Sequence, residues 1–200
     1  MASPRYGTAL IVGAGHGLSA SLARLFSREG MRLAMAARSV AKLADLCAVS
    51  CAQTFACDAV EPDQVSRLFD DEEKPIGTPD VVVFYASARA RGPLVELVPA
   101  DVENARAVSA LAGLLVAQEE ARRMLPRKSG AIRLTGASVS VKGYAQSAPF
   151  AMGKFALRGL AQSMAREFGP QGIHVAHFVI DGESAIQVEP NHLKDQADVK

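Results

Sequence analysis

The densest chemical signal in the chain is the run Val12-Gly13-Ala14-Gly15-His16-Gly17-Leu18-Ser19. Glycines at alternate positions let a backbone turn sharply and come within hydrogen-bond distance of an anion. Gly13 suits the tight turn, Gly15 and Gly17 leave room for a pyrophosphate, and Leu18 starts the segment whose amides would face it. An NAD site usually places a carboxylate about twenty residues further on, for the ribose hydroxyls. Here that stretch reads Ala36-Ala37-Arg38-Ser39. Arg38 is suited to a 2′-phosphate through a bidentate charge-assisted pair, Ser39 adds a hydroxyl donor, and His16 is expected near the same phosphate. The reading is NADP(H) over NAD(H). The plainer alternatives are glycines that serve only strand–helix packing and an arginine that is only solvated.

Other reactive residues say less. Cys47, Cys51 and Cys57 are an odd set without metal-finger spacing, so they read as small packed thiols. His174 and His177 are three apart on a strand, point to opposite faces, and make no metal pair. No metal is expected.

The elements that must position these residues alternate. Apolar runs at Thr8–Val12, Arg32–Ala37, Phe55–Cys57, Val81–Tyr85, Ala131–Thr135 and Ile173–Ile180 read as strands. Helical patterns lie between them at Gly17–Glu29, Val40–Val49, Pro62–Phe69, Asp101–Met124 and Pro149–Phe168, the last stopped by Gly169-Pro170. Val81-Val82-Val83-Phe84-Tyr85 has no polar alternation, as expected of a strand covered on both faces. Sustained alternation means an α/β fold: a Rossmann-type, doubly wound parallel sheet in three α/β/α layers, with expected strand order 3-2-1-4-5-6. The acidic run Asp70-Asp71-Glu72-Glu73 reads as a solvated helix end. Arg122-Arg123 and Arg127-Lys128 read as cations complementing a helix dipole.

The 200 residues suit one domain, 1–200, ending in an irregular tail at 183–200. Hydrophobic residues are 49% and charged residues 22%, which excludes a disordered chain and a disulfide-held mini-protein. Twenty-two Lys and Arg against 21 Asp and Glu give a net charge of +1, so no strong field recruits nucleic acid or an anionic membrane. No apolar run reaches membrane-span length and the first residues do not form a secretory signal, so a cytoplasmic location is expected.

These features together resemble the short-chain dehydrogenase/reductase family, from about Gly7 to Gly182 and in the right order. The glycine loop is similar to the family's T-G-x-x-x-G-x-G, with Val12 for the threonine and Ser19 for the last glycine. By this resemblance Asp58 would bond the adenine, and Ala86, Ser87 and Gly182 would line the cofactor. Ser138 would orient a substrate carbonyl and Lys154 would hold the nicotinamide ribose. Ser138 and Lys154 are thus the implied catalytic pair. The resemblance also implies a small carbonyl or alcohol substrate and a homodimer or homotetramer, to whose contact Val108, Leu111 and Leu115 could contribute.

Departures from the family pattern bear on chemistry. Its Tyr-x-x-x-Lys is here Phe150-Ala151-Met152-Gly153-Lys154, which keeps a ring and loses the phenol. That phenol moves a proton to or from the substrate oxygen, a step a benzyl ring cannot perform. Its Asn-Ala-Gly is Tyr85-Ala86-Ser87, its helix asparagine falls at Ser109, and its Pro-Gly is Asp181-Gly182. Few residues follow Ile180, so a seventh strand and a substrate lid are expected to be missing. Tyr144, six positions after Ser138, is either a substitute donor or a loop tyrosine touching substrate or solvent. Two functions stay open: an NADP(H)-dependent oxidoreductase, or a non-catalytic dinucleotide-binding protein of the same fold.

Overall fold

The computed structural model describes residues 6–181. Six parallel strands form one sheet in the order β3-β2-β1-β4-β5-β6. The strands are β1 (Thr8–Val12), β2 (Arg32–Ala37), β3 (Gln53–Ala56), β4 (Val81–Phe84), β5 (Gly130–Ala137) and β6 (Ile173–Ile180). The helices are α1 (Leu18–Arg28), α2 (Ala44–Ser50), α3 (Pro62–Ile76), α4 (Pro99–Arg106), α5 (Ala112–Arg127) and α6 (Ala148–Phe168). The expected doubly wound sheet and its strand order are present. Gly182 and the tail at 183–200 lie outside the described residues.

Period-two alternation explains the layers. Leu10 and Val12 of β1 pack in a core with Phe69, Val116, Met124 and Leu157, which come from α3, α5 and α6. Ala9 and Ile11 of the same strand face a second core with Ala23, Leu43 and Leu46 on the α1 and α2 side. Each central strand is therefore buried on both faces, and β1 and β4 have no exposed residue. Burying a side chain such as Phe84, fully enclosed here, contributes about 1.5–3 kcal/mol. Small residues Ser19, Ala20 and Ala23 on the buried side of α1 let that helix approach the sheet closely.

Several local features differ from the sequence reading. The third strand is Gln53–Ala56 rather than Phe55–Cys57, with polar Gln53 and Thr54 tolerated because β3 is a sheet edge. The long helix starts at Pro99 and is interrupted by a π-helical turn at Ala107–Leu111, which holds Ser109. The acidic run is not a solvated end, because α3 continues through it to Ile76. Glu72 is fully buried, and Asp70 and Glu73 bond Arg123, each at 2.9 Å. Arg123 also bonds Glu119 at 2.7 Å and Arg127 pairs with Asp80, so these arginines tie α5 to α3 and to the start of β4 rather than only answering a helix dipole. Among the described residues no helix is long and apolar enough to cross a membrane.

Candidate active site

Strand register brings the loops that carry most of the sequence-derived site residues to the carboxyl edge of the sheet, while Lys154 comes from α6. Val12 pairs with Ala36 and Phe84, Ala37 with Ala56, and Ala137 with Ile180. The loops that follow carry the glycines, Arg38, Asp58, Ala86 and Ser138 along one rim. The sheet changes direction between β1 and β4, which opens the crevice where ligands bind in such folds.

The glycine loop is tightly built. Gly13 sits at φ +84°, and its amide and that of Ala14 both donate to the Ala36 carbonyl, at 2.9 and 3.0 Å. A Cβ on Gly13 would lie 2.4 Å from the Ala86 nitrogen, so Gly13 lets the β1 and β4 loops touch. Gly15 has a different role, because a Cβ there would meet nothing within 4 Å. The space above it is open for a ligand. Its amide donates to the Ser19 hydroxyl at 2.9 Å, and that hydroxyl donates back to the Gly15 carbonyl at 2.8 Å. Ser19, fully buried, is the staple of the loop, and its place four residues after Gly15 is the sequence signal for it.

Gly17 is the N-cap of α1, with no side-chain cap and no acidic residue in the first turn. The helix ladder begins with the Ser21 amide donating to the Gly17 carbonyl at 3.1 Å. The amides of Leu18, Ser19 and Ala20 therefore precede the ladder and, with the helix dipole, suit an anion. Exposed His16 stands beside them, and half-buried Leu18 is the first helical residue. Arg38 and Ser39 are exposed immediately after β2, and among the described residues no carboxylate pairs with Arg38. Half-buried Asp58 follows β3. Its Oδ1 accepts from the Val60 amide at 3.3 Å, and its own amide donates to Gln64 Oε1 at 2.9 Å, which fixes the loop after β3. Ala86 is half-buried and Ser87 exposed. An open Gly15, a bare helix start and an unpaired guanidinium at the end of β2 fit a phosphorylated dinucleotide.

The residues implied as catalytic lie around α6 and the turn after β5. Phe150 and Lys154 stand one helical turn apart on its buried face. The Lys154 ammonium donates to the Thr135 carbonyl at 2.7 Å. Burial first, and then the Arg89 charge, push it down to about 8. Arg89, in the loop after β4, lays its guanidinium over the Phe150 ring, 4.7 Å from the centroid. Ser109 is fully buried on the π turn with its hydroxyl lacking a partner, and it abuts Gly153 so closely that a Cβ there would lie 2.7 Å from its own. His177, on β6, packs over Gly136. Burial, then the charges of Lys154 and Arg158, push its imidazole down to about 4, so it stays neutral.

Ser138 opens the turn after β5, which Ser140 braces by accepting the Ala137 amide at 3.0 Å. Tyr144 lies six residues beyond Ser138 along the same segment. Hydrogen bonding to Ser138, and next to Lys142, holds its phenol below the ordinary range. The Lys142 ammonium lies 5.0 Å from the Tyr144 ring centroid. A phenol, a serine hydroxyl and a lysine are thus gathered on one loop, although helix position 150 carries no phenol. Arg89 escaped the sequence reading because a contact between a loop and a helix far apart in sequence leaves no periodicity.

The short chain dehydrogenase profile matches residues 7–181. A human 3-oxoacyl-[acyl-carrier-protein] reductase is 27% identical over 191 residues, covering 92% of this chain and 80% of that protein. Secoisolariciresinol dehydrogenase of Forsythia intermedia is 29% identical over 175 residues, covering 84% and 62%. A solved short-chain dehydrogenase from Rhodopseudomonas palustris superimposes with a TM-score of 0.83 at 33% identity, covering 90% of this chain and 86% of that one. The chain thus spans from under two thirds to four fifths of the length of these two curated relatives. With the dinucleotide-binding Rossmann sheet, the glycine crevice and a profile match over nearly every described residue, the chain belongs to the short-chain dehydrogenase/reductase family of nicotinamide-dependent oxidoreductases.

Proposed function

We propose that the protein is an NADP(H)-dependent oxidoreductase that interconverts a carbonyl and an alcohol, with Tyr144 as its proton-transfer group. The observation that carries this reading is the Lys142 ammonium lying 5.0 Å from the Tyr144 ring centroid in the segment that begins at Ser138, with the phenol held below its ordinary range. When bound, the nicotinamide supplies or takes the hydride. The α1 amides hold the pyrophosphate, Arg38 with Ser39 holds the 2′-phosphate, and Asp58 faces the adenine. Lys154 anchors the nicotinamide ribose. Ser138 donates to the substrate oxygen and orients it. In reduction the carbonyl π pair moves onto that oxygen, the Tyr144 O–H bond breaks, and its proton completes the alcohol. The resulting phenolate is stabilised by Lys142. A phenol whose acidity is drawn toward neutral is a better general acid and base than Ser138 itself.

A second reading, nucleotide binding without turnover, draws on Phe150 and the guanidinium that lies over it. NADPH fluorescence titration followed by a carbonyl-reduction assay separates the two. Binding with turnover that falls about 100- to 10,000-fold in Tyr144→Phe supports the enzyme. Binding with no turnover against a broad carbonyl panel supports the second reading, and absence of dinucleotide binding defeats both.

A further inference from the structure

Arg89 occupies an unusual place for a cation. Its guanidinium lies 4.7 Å from the Phe150 ring centroid, and the Lys154 ammonium lies 5.8 Å from the same centroid. A guanidinium stacked by its face on a ring keeps its N–H groups at the rim, available to a planar acceptor. Phe150 is only 8% exposed whereas Arg89 is exposed, so the ring is a buried platform and the guanidinium its solvent-side cover.

The surrounding charges do not neutralise Arg89. Among the described residues no carboxylate pairs with it. Lys154 is a second cation, engaged by the Thr135 carbonyl. Lys142 is a third, on the neighbouring loop, and Asp181 is the carboxylate that acts on Lys142 and Tyr144. The Arg89 loop is tied to the Tyr144 loop, because the Gly92 amide donates to the Gln146 carbonyl at 3.3 Å. The loop that carries Arg89 is therefore held against the loop that carries Ser138 and Tyr144, while its start at Ala86 touches Gly13.

We propose that Arg89, oriented by stacking on Phe150, is the specificity-determining residue of the site and binds a carboxylate carried by the substrate near its reacting carbonyl. This rests on the oxidoreductase reading for the identity of the reacting group. The substrate class is an oxo acid or the corresponding hydroxy acid. The planar fork of guanidinium donors matches a carboxylate with two parallel hydrogen bonds. Phe150 then has a positive role, since its π face orients the cation.

Isothermal titration calorimetry in the presence of NADP+, with phenylglyoxylate and its uncharged methyl ester as probes, tests this without requiring turnover. Phenylglyoxylate is expected to bind about ten- to a hundredfold more tightly than the ester. Arg89→Ala should erase that gap, and Arg89→Lys should keep part of it. Phe150→Leu should shrink it about two- to fivefold by removing the stacking face, whereas Phe150→Tyr should keep it. Circular dichroism establishes that each variant is folded. Equal binding of the two probes, binding of neither, or a gap that survives Arg89→Ala overturns the proposal. A gap present in a protein that reduces no carbonyl would instead sink the oxidoreductase reading and leave the carboxylate site standing.

Discussion

Glu72 on α3 and Glu120 on α5 are both fully buried, and none of their four carboxyl oxygens has a hydrogen-bond partner. Burial first, then the charge of Glu120, pushes Glu72 up to about 9. Burial pushes Glu120 up to about 8, against the pull of Arg123 and Arg127 and with Glu73 and Asp80 adding to the rise. Both acids stay neutral near pH 7, where an unfolded chain would ionise them. The folded state therefore binds more protons than the unfolded one, and stability falls as pH rises. His177 opposes this below 6.5 and Lys154 above about 8, so the clean window lies between. There the slope approaches about 1.4 kcal/mol per pH unit for each retained proton. Glu72→Gln and Glu120→Gln, near-isosteric with the neutral acids, should each flatten it. Urea melts at several pH values check this, and an unchanged slope refutes it.

Gly13→Ala should destabilise the fold by at least about 2 kcal/mol and abolish dinucleotide binding. The cost combines a positive φ with a methyl placed 2.4 Å from the Ala86 nitrogen, a backbone atom that cannot swing aside. Gly15→Ala is the contrast. It meets no protein atom, so its denaturation midpoint should stay near the parent's while NADPH affinity drops through intrusion into the phosphate space. Chemical denaturation with fluorescence titration reads both effects.

The central strands were legible because residues such as Val81–Phe84 are covered on both faces and so form unbroken apolar runs. The glycine turn was legible because few residue types tolerate its backbone. The acidic run misled for a physical reason. A carboxylate is assumed to be ionised and solvated, and only the packing of α3 on α5 makes Glu72 neutral and buried. The partnership of Arg89 with Phe150 depends on where the loop after β4 returns over α6. No spacing rule encodes that return. The π turn at Ser109 was equally hidden, since an inserted residue leaves the helical apolar stripe nearly intact.

Arg38→Ala should weaken NADPH binding about ten- to a hundredfold and leave NADH binding within about threefold. The guanidinium is exposed at the end of β2, where a 2′-phosphate would present its charge. Raising the salt concentration should reduce the parent's NADPH affinity more than that of the variant, because the exposed pair is screened. Fluorescence titrations of both nucleotides decide it, and equal losses for NADPH and NADH would remove Arg38 from the phosphate site.

The last prediction concerns the pH dependence of reduction. The proton donor must be the neutral phenol, so the rate should fall as pH rises through the Tyr144 pKa. Ser138 and Lys142 both lower that pKa, so the fall should begin below the usual tyrosine range. Lys142→Met removes one of the two lowering influences and should move the fall to higher pH. Tyr144→Phe should lower single-turnover NADPH oxidation about 100- to 10,000-fold. Adding Phe150→Tyr to that variant places a phenol one helical turn from Lys154, whose buried ammonium favours the phenolate, and should recover part of the rate. If Lys142→Met leaves the profile in place while Tyr144→Phe leaves the rate intact, the proton comes from another group.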